Sequence, residues 1–199
     1  MDKEKALAIV KPFLTDARYE HTKRVVDTAV ELAAFYEEDT AKAETAAIFH
    51  DYAKYRDLME MEALIKNEQS LPSELLVHHS ELWHAPVGAL LVEREVGIGD
   101  PEILSAIRWH TTGKADMSRL DKIIFLADYI EPGRDFPGIE KVRPQAKVNL
   151  DLACFLSSKN TINFLLSKNQ PIYPDTIFAY NDLFLKVKEN LHGGKDLNG

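Results

Sequence analysis

The chain has 199 residues, of which 45% are hydrophobic and 28% charged, a composition typical of one globular domain with a sizeable core. Its net charge of -8 disfavours nucleic-acid and membrane-surface partners, because both require clustered lysine and arginine. The single cysteine, Cys154, excludes an intramolecular disulfide and a cysteine-based zinc site, and no apolar run approaches a membrane span, so we expect a soluble, cytoplasmic protein.

The hydrophobic period is helical along nearly the whole chain, and no segment shows the alternation that a strand requires. The first helix is expected over residues 3–14 with a bend near Pro12, and Thr15 or Asp16 is the expected N-cap of the second helix. Further helices are expected over residues 40–55, 57–67, 86–96, 103–110, 118–131, 145–168 and 176–191.

Capping residues support several of these boundaries. Asp100 precedes a proline at a first helical position, and Ser118 with Asp121 forms a capping box. Residues 134–144 are expected to form a loop, because they contain two prolines and a glycine. The sequence therefore predicts an all-α, single-domain helical bundle over residues 1–199. Its core spans about 15–135, helices at about 145–191 pack on that core, and 192–199 form a disordered tail.

Three polar residues fall on apolar helix faces. His21 shares a face with Val25, His50 follows a run of inward-facing alanines, and Asp128 lies within the apolar stretch IIFLADYI. An unpaired buried carboxylate is costly, so a positive group should lie opposite Asp128, and a metal ion would explain all three residues together. Asp51 follows His50 by about 100° around a helix, so the pair can offer a nitrogen and an oxygen to one ion. Imidazole and carboxylate ligands favour iron, manganese, cobalt or zinc over calcium.

Each of these residues has a plainer interpretation. A single inward histidine is more often a hydrogen-bonded core residue than a metal ligand. Arg18, one turn before His21, and Lys54, one turn after His50, are candidate phosphate contacts, but each could equally be a solvated surface cation, with Lys54 paired to Asp57 or Glu60. The metal interpretation is favoured because three inward polar residues on three helices would otherwise need three separate explanations.

Aromatic side chains are assigned mainly to the core. Phe125, Phe155 and Phe164 are expected to be buried rather than to stack on a nucleobase. Tyr129 or Tyr173 could stack on a base, and the sequence leaves this open.

Several longer segments match a known family. They are YEHTKRV at 19–25, FHDYAK at 49–54, HAPVGA at 84–89, RWHTTGK at 108–114 and LADYIEPGR at 126–134. Together they resemble the HD superfamily of metal-dependent phosphohydrolases, with a first histidine, a His-Asp pair and a distant aspartate on helices. The fuller strings are similar to one bacterial branch, the YqeK-type symmetrical diadenosine tetraphosphate hydrolases, and the resemblance runs from about residue 3 to about residue 190.

This resemblance implies a helical HD domain, a homodimer, and cleavage of diadenosine tetraphosphate into two ADP by attack of metal-bound hydroxide on phosphorus. It implies an iron-type ion, with cobalt or manganese also compatible and one ion per chain preferred over two. The implied metal ligands are His21, His50, Asp51 and Asp128. The implied catalytic residues are Asp51, Lys54, His84 and His110, with His84 or His110 protonated to meet phosphate charge. The implied substrate-binding residues are Arg18, Asp51, Lys54, His84, His110, Thr111, Asp128, Arg134, Tyr173, Asp175 and Thr176.

Two alternatives remain open from the sequence. The order of histidines and aspartates also fits a dinuclear site with Asp51 as the bridge and with His84 and His110 as further ligands, which would favour another HD-type nucleotide phosphohydrolase or phosphodiesterase. The chain could also be a nucleotide sensor without catalysis, in which a closed metal site serves structure only. The number of metal ions per chain distinguishes the dinuclear enzyme from the mononuclear one. Turnover of a nucleotide distinguishes an enzyme from a sensor.

Overall fold

The computed structural model describes the backbone of residues 2–193 and the side chains of residues 2–189. The predicted tail at 192–199 falls outside the residues whose side chains are described. Within the described residues there are ten α-helices and no strand, so the predicted all-α class is confirmed. The helices are α1 (Lys3–Val10), α2 (Asp16–Phe35), α3 (Thr40–Phe49), α4 (Leu58–Asn67), α5 (His84–Leu91), α6 (Pro101–Trp109), α7 (Arg119–Ile130), α8 (Ile139–Val142), α9 (Leu150–Ser167) and α10 (Pro174–Gly193).

Helix α3 is shorter than the sequence predicts. It ends at Phe49 rather than near residue 55, and the chain continues through turns in which amides bond to carbonyls three residues back, such as Tyr52 to Phe49 and Lys54 to Asp51 (3.0 and 2.9 Å). These bonds tighten the backbone just after the helix. Both His50 and Asp51 are fully buried as a result, although neighbours on a regular helix point about 100° apart.

Helix α5 begins two residues before its predicted start. His84 is its first residue, and Pro86 is tolerated in the first turn because amides there have no partner within the helix. The helix passes into a π-helical turn over Val92–Val96 and ends at Gly97, whose φ of 78° lies in the left-handed region. The early start is important because it places the His84 side chain at the inner end of the helix.

The predicted loop at 134–144 contains helical structure. Helix α8 forms there because Ile139 and Val142 are buried, and a 3-10 turn over Arg143–Lys147 follows. Arg143 donates to the carbonyl oxygens of Ile130, Glu131 and Arg134 (3.0, 2.8 and 2.7 Å), which holds the segment against the end of α7. Helix α9 consequently begins at Leu150 instead of residue 145, with the Asn149 side chain as its cap.

The helices pack around one apolar cluster. Helix α2 packs on α3 and α7, helix α6 packs on α5 and α7, and α9 covers α7 while contacting α10. Phe125 and Phe155 are buried as predicted, but Phe164 is 60% exposed, so its assignment to the core is wrong. Among the described residues, none of the helices combines the length and apolarity needed to cross a lipid bilayer.

Candidate metal centre and substrate site

Five elements direct polar side chains to one buried point. Helix α2 supplies His21, the end of α3 supplies His50 and Asp51, and the start of α5 supplies His84. His110 lies just after α6, and Asp128 lies in α7. The four histidines and Asp51 are at most 5% exposed, and the Asp128 side chain is 17% exposed. The structure thus brings together the four residues predicted as metal ligands, with His84 and His110 beside them.

The four histidine rings share one hydrogen-bonding pattern. Each Nδ1 lies within hydrogen-bond distance of an oxygen outside the cluster. The acceptors are Glu131 Oε1 for His21 (3.0 Å) and the carbonyl oxygens of Ala47, Glu81 and Ile107 for His50, His84 and His110 (2.7, 2.7 and 2.8 Å). Because a carbonyl oxygen or ionised carboxylate can only accept, Nδ1 carries the hydrogen and Nε2 faces the cluster. A histidine that binds a metal through one nitrogen typically donates its other N–H in this way.

Asp51 faces two sets of nitrogens. Its Oδ2 lies 2.8 Å from His50 Nε2 and 3.8 Å from His21 Nε2. Its Oδ1 lies 3.3 Å from His84 Nε2 and 3.9 Å from His110 Nε2. Asp128 Oδ1 adds to the first set, at 3.0 Å from His21 Nε2 and 3.9 Å from His50 Nε2.

The donor atoms fit a metal ion. Nε2 of His21, Nε2 of His50 and Oδ1 of Asp51 are buried without a hydrogen-bond partner, a costly state that a coordinated cation would relieve. Three overlapping groups have ligand atoms within 4.8 Å of one another: His21, His50 and Asp51; His50, His110 and Asp128; and Asp51, His84 and His110. Mixed nitrogen and oxygen donors suit a divalent transition metal.

The carboxylates are ionised. Burial opposes the charge on Asp51, but the neighbouring His50 and His84 and the charge of Arg18 hold its pKa well below the usual range. The same balance between burial, His21 and Arg134 keeps the pKa of Asp128 low. Burial also lowers the pKa of His50, yet the Asp51 charge raises it overall, so the surroundings favour a positive charge at this point. A metal ion would replace that proton.

Two arginines contact the carboxylates directly. Arg18 Nε donates to Asp51 Oδ2, and Arg134 donates to both the carboxylate (2.7 Å) and the backbone oxygen (3.1 Å) of Asp128. Burial disfavours the Arg18 charge, but Asp51 outweighs it and the pKa of Arg18 is raised. The plainer interpretation of Arg18, a solvated surface cation, is therefore wrong.

The surroundings of His110 favour its neutral form. Its burial and the neighbouring His50 and His84 lower its pKa to about 3, and its Nε2 lies 3.1 Å from His84 Nε2. Of the two histidines expected to meet phosphate charge when protonated, His84 or His110, this disfavours His110. Its Nε2 presents a lone pair to the cluster instead.

Glu131, to which the sequence assigns no role, also contacts the cluster. It is 1% exposed, and besides His21 it accepts from Arg24 Nε and from the Gly133 amide, both at 2.6 Å. Burial opposes its charge, but these donors lower its pKa to about 2. It directly follows α7, and its burial depends on Arg24 and His21, so local sequence periodicity gives no signal for it.

The remaining predicted residues lie around the cluster. Lys54 Nζ binds Glu81 at 2.6 Å, so neither Asp57 nor Glu60 is its partner. Thr111, Tyr173 and Thr176 line an apolar hollow of about 510 Å³ that also includes Glu81. Asp175 lies in the first turn of α10, where burial raises its pKa against the opposing charge of Arg108.

Known proteins resemble this chain over most of its length. A model of the HD domain matches residues 18–133. A symmetrical bis(5'-nucleosyl)-tetraphosphatase of Halalkalibacterium halodurans is 58% identical over 94% of this chain and all of its own length, and one of Bacillus subtilis is 54% identical over 91% and 97%. A crystal structure from Clostridium acetobutylicum, described as a predicted HD superfamily hydrolase involved in NAD metabolism, has a TM-score of 0.88, is 39% identical, and covers 94% of this chain and 98% of its own.

The HD-domain match includes every residue of the cluster, and the relatives cover more than nine tenths of the chain. The HD match begins at Arg18 and ends after Glu131, so it contains all six converging side chains. The chain belongs to the HD domain family of metal-dependent phosphohydrolases, in the branch of the symmetrical bis(5'-nucleosyl)-tetraphosphatases.

Proposed function

We propose that this chain hydrolyses diadenosine tetraphosphate at its central bridge and releases two ADP. The observation that carries the proposal is the common hydrogen-bonding pattern of four buried histidines, whose Nε2 atoms face Asp51 while each Nδ1–H is donated outward. The relatives that match nearly the full chain are named for this symmetrical cleavage. Substrate and products are thus nucleotides.

We propose that His21, His50, Asp51 and Asp128 hold one metal ion, most simply iron, with cobalt and manganese as compatible replacements. When bound, such an ion lowers the pKa of coordinated water and makes a nucleophile available near neutral pH. Asp51 and Asp128 supply two negative charges and the histidines supply neutral nitrogens. This mixture of ligands favours a divalent or trivalent cation over a monovalent one.

The cations beside the cluster are suited to phosphate. We propose that Arg18, Lys54 and Arg134 contact the tetraphosphate, because each carries N–H donors within reach of the buried carboxylates or of Glu81. His84 and His110 border the position of the bridging phosphates, and Asp51 orients the attacking water. Such fixed donors stabilise the charge that develops on phosphoryl oxygens.

We assign one nucleoside to the hollow that includes Thr111, Tyr173 and Thr176. The hollow is apolar, and Thr111 in its lining directly follows His110 in the sequence. A base bound there would therefore lie next to the phosphates. Asp175 is proposed to contact the same nucleoside from the first turn of α10. Stacking on an aromatic ring adds affinity for a nucleobase and does not depend on a particular set of hydrogen bonds.

A dinuclear centre is the second candidate. It is favoured by one observation, that Asp51 Oδ1 faces His84 and His110 while Oδ2 faces the other two histidines, as a bridging carboxylate would. The metal content of active protein, measured by elemental mass spectrometry, distinguishes the two. One ion per chain supports the mononuclear centre, and two ions support the bridge.

We also propose that the chain is a homodimer and acts in the cytoplasm. Phe178 and Leu185 are 54% and 61% exposed and lie seven residues apart, on one face of α10. An exposed apolar stripe of this kind is typical of an interface between subunits. Sedimentation of the wild-type chain and of Leu185→Glu should give a dimer and a monomer, respectively.

The experiment that tests the function is a product assay. The chain is loaded separately with iron, cobalt or manganese and mixed with diadenosine tetraphosphate, and the nucleotides are separated by chromatography. We expect ADP as the sole product. AMP with ATP, or turnover of mononucleotides alone, would assign a different HD phosphohydrolase activity, and no turnover of any nucleotide would support the sensor.

A further inference from the structure

A second apolar hollow lies beside the end of α7. It has a volume of about 590 Å³ and is lined by Tyr129, Phe136, Pro137, Asn160, Asn163 and Phe164. The first hollow, assigned above to one nucleoside, has a similar volume of about 510 Å³. Both volumes fall in the range of small-molecule sites, about 300 to 1,000 Å³. Thr161 and Phe164 of α9 line both hollows, so one helix forms the wall between them.

Each hollow is lined by residues that lie next in sequence to residues of the metal cluster or its arginine. Tyr129 directly follows Asp128, and Phe136 lies two residues after Arg134, whose guanidinium donates to that carboxylate. In the first hollow, Thr111 directly follows His110, and the Glu81 carbonyl accepts from His84 Nδ1. These neighbours connect the first hollow to His84 and His110 and the second hollow to Asp128 and Arg134, and this is the basis for a ligand that is centred at the cluster and reaches both.

The chemistry of the second hollow suits a nucleobase. Tyr129 and Phe136 pack edge to face with ring centroids 4.9 Å apart, and the exposed Phe164 of α9 also lines the hollow. Two side-chain amides, Asn160 and Asn163, offer donors and acceptors to the edge of a base. Phe164 is 60% exposed, so its ring is accessible to a base for stacking.

We infer that the second hollow binds the second nucleoside of the substrate, with Phe136 and Phe164 as stacking residues. This inference rests on the proposed function, because a substrate with two identical ends cut at its centre needs a nucleoside site on each side of the metal. Symmetrical cleavage follows from this arrangement. Each nucleoside is held in its own hollow, so the central bridge, and no other phosphate bond, lies at the cluster.

The test compares two ligands that carry the same phosphates. One is diadenosine tetraphosphate with a methylene in place of the central bridging oxygen, which cannot be cleaved there, and the other is adenosine tetraphosphate with the same methylene. Both are titrated calorimetrically into the metal-loaded full chain. The readout is the ratio of the two dissociation constants, measured for wild type, Phe136→Ala and the milder Phe136→Leu. Leu166→Ala is the control, because Leu166 is 58% exposed on α9 and lines neither hollow.

We expect wild type and Leu166→Ala to bind the two-nucleoside ligand at least about tenfold more tightly, and the ratio to fall below about threefold in both Phe136 variants. The ratio falls whichever hollow the one-nucleoside ligand prefers, because each variant retains one good site. A wild-type ratio near one, or a ratio unchanged in both variants, would overturn the inference. The inference would also be overturned if Phe136→Ala converted a dimer to a monomer and left the ratio unchanged. The hollow would then be an interface between copies of the chain. This experiment measures binding and involves no turnover. Its failure can therefore be distinguished from a failure of the product assay, which tests the proposed function.

Discussion

At the scale of single residues, the histidine tautomers determine what the cluster can hold. A carbonyl oxygen or a carboxylate accepts each Nδ1–H, so four Nε2 lone pairs face one buried volume with two ionised carboxylates. Lone pairs and anions repel one another when no cation lies between them. This arrangement of donors is therefore stable only when protons or a metal ion are bound. One metal ion contacts more of the donor atoms than one proton does.

Loss of a proposed metal ligand should remove the ion but leave the fold. His50→Ala and Asp128→Ala should each lose bound metal and at least about a thousandfold in turnover, because one of four ligands is gone and the remaining charges are unbalanced. Metal content, far-UV circular dichroism and turnover are measured together. Asp27→Ala is the matched control, since Asp27 is 76% exposed on α2. Full turnover in either ligand variant would disprove the assignment.

Glu131→Gln should weaken metal binding through His21. The amide accepts the Nδ1–H less strongly than a carboxylate, so the ring is a poorer ligand, and we expect about tenfold to about hundredfold weaker metal affinity. Competition with a chelator measures this affinity, and Glu4→Gln, an exposed change in α1, is the control. Wild-type affinity in Glu131→Gln would mean that this carboxylate serves only to anchor Arg24.

The inward direction of His21, His50 and Asp128 was predictable because each falls on an apolar helix face. Glu131 was not, because it stands before Pro132 and Gly133, where the sequence indicates only a helix end. Its burial depends on Arg24, a residue 107 positions away, which comes near only in the folded chain. Contacts of that range are not visible in local periodicity.

At the scale of helices, the ends position the chemistry. His50 and Asp51 follow the last residue of α3, His84 is the first residue of α5, and His110 follows α6. A helix end lets the chain direct consecutive side chains to one point, which a regular helix does not allow. Only His21 and Asp128 project from helix interiors.

The capping box of α7 should contribute to stability without affecting chemistry. Ser118 Oγ accepts from the Asp121 amide (3.0 Å), and the Asp121 carboxylate accepts from the Ser118 amide (2.9 Å). Ser118→Ala should lower the free energy of unfolding by about 1 kcal/mol, because a helix donor loses its partner. Urea denaturation measures the change, and kcat should match wild type. Ser105→Ala, inside α6, should change stability by less than about 0.5 kcal/mol.

Helix boundaries were predictable where a cap or a proline marks them, as at Thr15, Asp100 and Ser118. The early end of α3 and the helical turns after Arg134 were not, because tertiary contacts determine both. Burial of Ile139 and Val142 outweighs the turn preference of the prolines and glycine around them. The exposure of Phe164 is a comparable case, since its apolar character alone predicts burial.

At the scale of the whole molecule, α9 joins the cluster-bearing helices to the C-terminal helix. It packs on α7, which carries Asp128, and on α10, and it separates the two hollows. We propose that the chain is one domain, with a core over about 15–135 and the helices at about 145–191 folded onto it. A shared apolar cluster that includes Phe155 and Leu183 supports this proposal.

Unfolding should be a single transition. Trp83 and Trp109 both lie in the proposed core, whereas far-UV circular dichroism also reports α9 and α10. If the chain is one cooperative unit, tryptophan fluorescence and circular dichroism should give the same midpoint in urea. An additional circular dichroism transition without a fluorescence change would show that the C-terminal helices unfold separately.

Symmetrical hydrolysis at this cluster is tested most directly by the position of solvent oxygen in the products. The metal-loaded chain cleaves diadenosine tetraphosphate in water enriched in oxygen-18, and the nucleotides are analysed by mass spectrometry. Attack of water at an inner phosphorus predicts ADP alone, with one of each two molecules carrying a single heavy oxygen on its terminal phosphate. AMP and ATP among the products, or ADP without the heavy oxygen, would contradict the account.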